Sequence, residues 1–403
     1  MASTRPPVCL QREWAYESHK QPMQTTGEFV ILTYNILNQD LCQETKEFGQ
    51  DDVTNGERHE LLMQEIDNHN DADVVCMQEV SCKYYGQTLL PAMKHRGYIG
   101  DYIQRPNDRA SHDTRPWTDG SATFHKQQRF QLIKKRNGNF RDVFQENARN
   151  GVTDDKETML SLTDSRRSFL FTLFRCHKTK RLLAVGNVHL SFDFFKRMDL
   201  ISLEVSFAIN ELIKFSGGLE TPHILCGDFN QEPHHPGYQL LHDRCFNHSM
   251  TKYVRSFDQS DKETNKTVSL MDIFNDHFTH PSASLRSAYE AILGHELPFS
   301  CYEDSSDLYQ TPKRDRPSDA VKMMFDAIPS HPKVYRNDPE TYGSAKYIAT
   351  LDYIWFSSDV LQCNGVLKMV DEHLITPFAT CPNPSFPSDH LLLKARFDFL
   401  TPP

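Results

Sequence analysis

Between His223 and Pro233 the chain reads HILCGDFNQEP, an apolar run that ends in Asp228 and Asn230, two positions apart. Ile224 to Gly227 has the character of the end of a buried strand, and alternation along a strand sets both polar side chains on one face. A carboxylate and an amide leaving a buried strand together can hold and orient a water or a phosphate oxygen. An Asx turn, in which the two side chains bond their own backbone, accounts for the same spacing. The construction recurs, however. FVILTYN ends in Asn35, DVVCMQE sets Glu79 on the face of Val75 and Met77, and LLAVGNVH closes with Asn187 and His189 on one side. Asp352 lies inside LDYIWF, and PSDH puts Asp389 and His390 ahead of Leu391 to Leu393. Oxygen- and nitrogen-bearing groups with no cysteine among them suit a hard cation, Mg²⁺ first and Mn²⁺ as a substitute. Asp352 sits among apolar neighbours, and a buried carboxylate requires a partner.

These groups need buried strands to carry them. Helices are expected at 57–69, at 85–95 closed by Gly97, and at 195–215 closed by Gly217-Gly218. Strands are expected at 120–125, 130–135, 169–176 and 181–189, with successive strands pairing antiparallel. Strand and helix alternation earlier in the chain favours helices layered on sheets of mixed direction. Residues 1–27 read as an N-terminal arm tied down by Trp14 and Tyr16. Length alone would allow two or three domains. Polar groups from Asn35 to His390 can build one site only within one domain, so 28–400 is read as a single domain. Surface insertions are expected near 105–118, 251–268 and 301–346.

Of 403 residues, 44 are Lys or Arg and 54 are Asp or Glu, a net charge of −10. With a pI near 6.0, this balance excludes a strongly basic, non-specific nucleic-acid binder. A phosphate substrate would need local cations. Lys126, Arg129, Lys134, Lys135, Arg136 and Arg141, interleaved with Phe124, Phe130 and Phe140, form a candidate patch for a single-stranded backbone and its bases. A solvated hairpin accounts for the same residues. The ten cysteines show no CxxC pair and read as small core residues of a reducing compartment. No leader, transit or membrane-spanning segment is evident. The expectation is a cytoplasmic protein, with the nucleus as the alternative.

YNILNQDL, ADVVCMQEV, GNVHL, CGDFNQEP, TLDYIWFS and FPSDHL resemble the signature boxes of the endonuclease/exonuclease/phosphatase superfamily, the fold of pancreatic deoxyribonuclease. The likeness is greatest to the branch of carbon-catabolite-repression deadenylases, nocturnin and the Angel proteins, although no leucine-rich segment is seen ahead of the domain. The resemblance implies a four-layer α/β sandwich, two packed mixed β-sheets flanked by helices. It also implies roles: Glu79 and Asp389 as Mg²⁺ ligands, with Asn35 beside them positioning metal and phosphate. Asp228, with Asn230, would orient and deprotonate the attacking water, and His189 would bind a non-bridging phosphate oxygen. His390, paired with Asp352, would stabilise the transition state. Lys126 and Arg129 are added as substrate contacts. The implied activity is Mg²⁺-dependent 3′-to-5′ hydrolysis of single-stranded RNA, with poly(A) leading. YYGQ at Tyr84 looks like Angel proteins, some of which hydrolyse 2′,3′-cyclic phosphates on RNA ends, whereas SLRSAYE at Ser284 and GHELPFS at Gly294 look like the deadenylase and nocturnin side. A nocturnin-like 2′-phosphatase acting on a dinucleotide is a further alternative. A silent RNA-binding scaffold would have lost a signature residue, and none is missing. An adaptor protein would supply targeting, although no motif identifies one.

Overall fold

The structure is a computed structural model and describes residues 12–16, 27–39, 55–106, 119–148, 156–192, 197–260, 267–304, 346–371, 374–375 and 381–400. In chain order its main strands are β1 (Trp14–Tyr16), β2 (Phe29–Asn35), β3 (Val74–Ser81), β4 (Tyr98–Gln104), β5 (Asp119–Lys126), β6 (Phe130–Asn139) and β7 (Ser168–Cys176). There follow β8 (Leu182–His189), β9 (His223–Asp228), β10 (Leu285–Ser287), β11 (Asp352–Ser357), β12 (Leu361–Leu367) and β13 (Leu393–Phe399). One sheet has the order β1-β12-β13-β2-β3-β5-β4 and the other β10-β11-β9-β8-β7-β6. Each is mixed, with a single parallel neighbour pair among the described strands: β2 with β3, and β8 with β9.

Alternation in β2 shows how the layers form. Phe29 and Ile31 join Phe130, Phe174, Val185, Ile224 and Ile354 in a core between the two sheets. Val30, Leu32 and Tyr34 face the other way, onto Leu62, Met63 and Ile66 of helix α1 (Asn55–Asn68). Beyond the second sheet, Phe171, Ala184 and Leu225 pack on Leu203, Phe207 and Leu212 of α2 (Met198–Ser216). The stack is helix, sheet, sheet, helix, the architecture anticipated. Sheets packed face to face lie about 10 Å apart, their inner side chains interleaved between them.

Several elements depart from expectation. β5 and β6 are consecutive but belong to different sheets, because β5 pairs with β3 and β4 while β6 pairs with β7. The helix expected at 85–95 begins at Cys82 and passes through one turn of π winding, Tyr85–Leu89, before Leu90–His95. Within the insertion expected near 251–268, residues 251–255 continue a helix, His248–Arg255, that buries Tyr253 and Val254, and 261–266 lie outside the described residues. Of the insertions expected near 105–118 and 301–346, residues 107–118 and 305–345 lie outside the described residues, and the ends of the second, 301–304 and 346, belong to a pair of antiparallel strands.

The arm contributes an edge strand. β1 pairs with β12, and Trp14 lies under the Lys394 ammonium at 4.5 Å and the Arg396 guanidinium at 4.6 Å. Arg12 donates to the carbonyls of Leu392 at 2.5 Å and Lys368 at 2.9 Å. Nearby in α1, Glu65 is buried, and burial raises its carboxyl to about 7 against the pull of Arg12 and a Tyr34 hydrogen bond. The folded state therefore holds this proton more tightly than an unfolded chain, where the group titrates near 4.5. Its contribution to folding is complete below pH 4.5 and is lost as pH rises through about 7, a difference of about 3 kcal/mol. Glu65→Gln is expected to match the parent in urea melts at pH 4 and to exceed it by about that amount at pH 8. Parallel stability curves for the two proteins across this range would refute the assignment.

Candidate active site

In each sheet a parallel pair sends two polar residues to the same edge. Asn35 stands opposite Gln78 where β2 and β3 end, and His189 stands opposite Asp228 where β8 and β9 end. β11 enters beside β9 in the opposite direction, so Asp352 also pairs with Asp228. The two sheet edges meet through Asn35, whose amide donates to Glu79 Oε1 at 3.1 Å and to Asp228 Oδ2 at 2.9 Å. Residues far apart in the chain are thus joined by one side chain.

Glu79 reaches this point by a local irregularity. Simple alternation would set it with Val75 and Met77, which pack toward the α1 layer. Instead the register shifts between Met77 and Val80, and Glu79 takes a left-handed backbone with φ 57°. A non-glycine residue with positive φ is strained, and such strain concentrates at functional sites. Its second oxygen accepts from the Asn38 backbone at 3.1 Å. Arg58, 5% exposed, ties the neighbouring loops together by donating to the carbonyls of Ile36, Leu37 and Pro387 at 2.8 to 2.9 Å.

For Asp228 and Asn230 the turn and the polar display occur together. Asp228 Oδ1 accepts the Asn230 backbone N–H at 2.9 Å, the Asx turn, while Oδ2 faces Asn35 and the histidines. The strand ends at Asp228, so Asn230 does not share a strand face with it. Asn230 has φ 49° and donates its amide to the Leu190 carbonyl at 2.9 Å. Gly227, at φ 138°, permits the close approach of β9 to β8, since a Cβ there would fall 1.9 Å from the Val188 carbonyl oxygen.

The partner required by Asp352 is present. His390 Nδ1 lies 2.8 Å from Asp352 Oδ2, which also accepts from Ser300 Oγ at 2.7 Å. Burial alone would lower His390, but the charge of Asp352, joined by Cys301 and Asp228, outweighs it and raises the imidazole well above its usual value. The other imidazole nitrogen points 3.8 Å from Asp228 Oδ2. His189 behaves oppositely. Burial, then Arg167, Arg105 and His390, hold it well below the ordinary value, so it is neutral, with Nε2 3.6 Å from Asp228 Oδ2 and 3.9 Å from Glu79 Oε1. Asp228 is raised chiefly by burial, against the His390 charge. Glu79 is raised by burial and then by the charges of Asp389 and Asp119.

Glu79, Arg105, Asp119, Arg167, His189, Phe192, Asp228, Asn230 and His390 line one open cleft of about 620 Å³. Of the residues singled out in the sequence, Asn35, Glu79, His189, Asp228, Asn230, Asp352 and His390 converge here, and Asp389 lies close enough to act on Glu79. Asn187 does not belong to the site. Its amide donates to the Met77 and Ala122 carbonyls and accepts from Gln78, clamping the sheets together.

Lys126 and Arg129 lie elsewhere. Asp119 begins β5 at the cleft and Lys126 ends it, about 23 Å further along an extended strand. Lys126 donates to the Asn70 carbonyl, and Arg129 to the carbonyls of Gly27 and Glu28. The remaining basic residues are engaged as well: Lys135 with Asp101, Arg136 with Glu211, Arg141 with Asp164, and Lys134 over the Phe215 ring. Phe124, Phe130 and Phe140 are buried in three different cores. The expected patch therefore stands apart from the cleft, with its aromatics buried and its cations engaged with neighbouring chain. Arg105, Arg167, Phe192, Asp119 and Ser300 were not singled out as site residues; the Arg166-Arg167 pair ahead of β7 was the available signal.

A profile of the Endonuclease/Exonuclease/phosphatase family matches residues 32–390. The CCR4-Not complex 3′-5′-exoribonuclease subunit Ccr4 of Candida albicans is 27% identical over 394 residues, 94% of this chain. The chain spans 42% of that relative's length. Among solved structures, ANGEL2, described as a 2′,3′-cyclic phosphatase, superposes with a TM-score of 0.65 at 22% identity over 96% of this chain and 97% of its own. The human Nocturnin catalytic domain with bound sulfate superposes at 0.57 with 20% identity, covering 99% and 100%. At these identities the two structures bear on the fold.

Proposed function

Because this chain belongs to the Endonuclease/Exonuclease/phosphatase family, we propose that it is a divalent-metal-dependent phosphodiesterase that removes nucleotides from the 3′ end of single-stranded RNA. Likeness to Ccr4 supports this substrate, with a run of adenylates as the leading candidate. The observation that carries the chemistry is the bridge from Asn35 to Glu79 and Asp228, with the His390–Asp352 pair beside it.

The donor set fits a hard cation. Ligand atoms of Glu79, His189 and Asp228 lie within 4.8 Å of one another, and Glu79, raised first by burial, is raised further by the charges of Asp389 and Asp119, a repulsion that a bound cation relieves. Glu79 and Asp389 would hold Mg²⁺, or Mn²⁺ in its place, with Asn35 alongside. When bound, the metal neutralises phosphate charge and stabilises the leaving oxygen. The chain's own groups do the rest. Asp228, its basicity increased by burial, accepts a proton from water as that oxygen bonds to phosphorus. Asn230 closes the turn that aims this carboxylate. Neutral His189 donates a hydrogen bond to a non-bridging oxygen. Cationic His390, fixed by Asp352, stabilises charge on the phosphorus oxygens. The bond from phosphorus to the 3′ oxygen breaks, yielding a nucleoside 5′-monophosphate and a shortened RNA whose 3′ oxygen takes up a proton.

One gel tests this. Purified protein is incubated with Mg²⁺ or EDTA and 5′-labelled oligonucleotides that end in adenylates, in mixed sequence or in a 2′,3′-cyclic phosphate. A Mg²⁺-dependent ladder on the adenylate end is the expected result. A shift confined to the cyclic end would replace the exonuclease with a phosphatase. No change in any lane would remove both.

A further inference from the structure

Arg105 and Arg167 line the same cleft as Glu79, Asp228 and His390, and both are nearly buried. Asp119 approaches Arg105 at 3.5 Å. Arg167 Nη1 instead lies 3.2 and 3.4 Å from the two nitrogens of His189. Glu204 acts on Arg167 only at longer range, and its oxygens accept from Ser165 Oγ and from the Ser191 N–H and Oγ. The two guanidiniums line one cleft, where their charges oppose each other. The carboxylates of Asp119 and Glu79 offset part of the Arg105 charge, whereas among the described residues no carboxylate lies within ion-pair distance of Arg167, which leaves that guanidinium suited to a phosphate of the strand. His189, His390 and Asn35 already serve the phosphate being cleaved, so the arginines exceed what one phosphate requires. Beside them Phe192 is 60% exposed, its ring 5.7 Å from the Arg167 guanidinium. A large exposed ring at a cationic cleft is suited to stacking a base.

We propose that Arg167 and Phe192 form a second nucleotide subsite beside the scissile phosphate, with the guanidinium binding the adjoining phosphate of the strand and the ring stacking its base. The subsite rests on the phosphodiesterase assignment and narrows it to strands with at least two phosphates, in preference to mononucleotide esters.

Calorimetry on the full chain in EDTA compares 5′-phosphorylated diadenylate, with two phosphates, against adenosine 5′-monophosphate, with one. The ratio of the two affinities cancels effects common to both ligands. The parent is expected to favour the dinucleotide by about a hundredfold. Arg167→Gln and Phe192→Ala should each reduce that preference about tenfold, the worth of one charge-assisted contact or one stacked base. An abasic dinucleotide should lose about tenfold against the parent and nothing further against Phe192→Ala. Thermal melts verify folding, and because Phe192 is exposed its variant answers even where Arg167→Gln does not fold. A preference unchanged by both substitutions, or absent from the parent, overturns the subsite. Hydrolysis of the adenylate substrate by the parent with Mg²⁺ is read separately, so loss of the activity assignment is distinct from loss of the subsite.

Discussion

Glu79→Gln is expected to yield a folded protein whose Mg²⁺-dependent hydrolysis has fallen at least about a thousandfold. Losing a metal ligand removes several kcal/mol of charge stabilisation, and about 1.4 kcal/mol corresponds to tenfold in rate. Burial and the charges of Asp389 and Asp119 push Glu79 toward its protonated form, which favours a neutral amide, but the amide loses one of the two acceptors that meet Asn35 and Asn38, so the metal-free proteins should be of similar stability. Melting curves with and without Mg²⁺ separate these effects. The parent should gain stability on adding Mg²⁺, and the variant should gain little. A variant that still responds to Mg²⁺ and retains turnover would mean that another residue holds the cation.

Asp352→Asn is expected to lower turnover by about 10² to 10³-fold with a much smaller change in KM. The amide fills the same volume and still accepts from Ser300, so the fold should persist. The loss is electrostatic: without the carboxylate 2.8 Å from Nδ1, burial of His390 is unopposed by its strongest partner and the imidazole sheds its proton. NMR titration should show His390 cationic at neutral pH in the parent and neutral in the variant. A variant with an unshifted His390 and parental turnover would reduce the pair to a structural contact.

The strands were legible because they are apolar runs, buried on both faces. FVILTYN is β2 from end to end, with its two faces packed into different cores. The polar residues at strand ends were legible for a related reason: a charged group after an unbroken apolar run has few places to go except a sheet edge. Two features escaped. The bulge before Glu79 leaves no mark in the spacing of Val75, Met77 and Glu79, since one extra residue reverses every face beyond it. The basic cluster looked like a surface because composition cannot show where a cation finds its partner. Arg136 meets Glu211, and Lys135 meets Asp101, across folds of chain that no local window spans. Conversely, Arg105 just after β4 and Arg167 just ahead of β7 meet at the cleft only because of how those strands are placed in different sheets.

The cleft is divided between two sheets that share no backbone hydrogen bonds among the described strands, and the Asn35 side chain spans the division. Turnover is therefore a gauge of how the sheets sit on each other. A sandwich loosened by heat or mild urea would keep its strands and helices while its reactive groups drifted out of alignment. Activity should accordingly vanish at a lower urea concentration than far-ultraviolet dichroism, and coincident loss of the two would show that the halves separate only when the whole molecule unfolds.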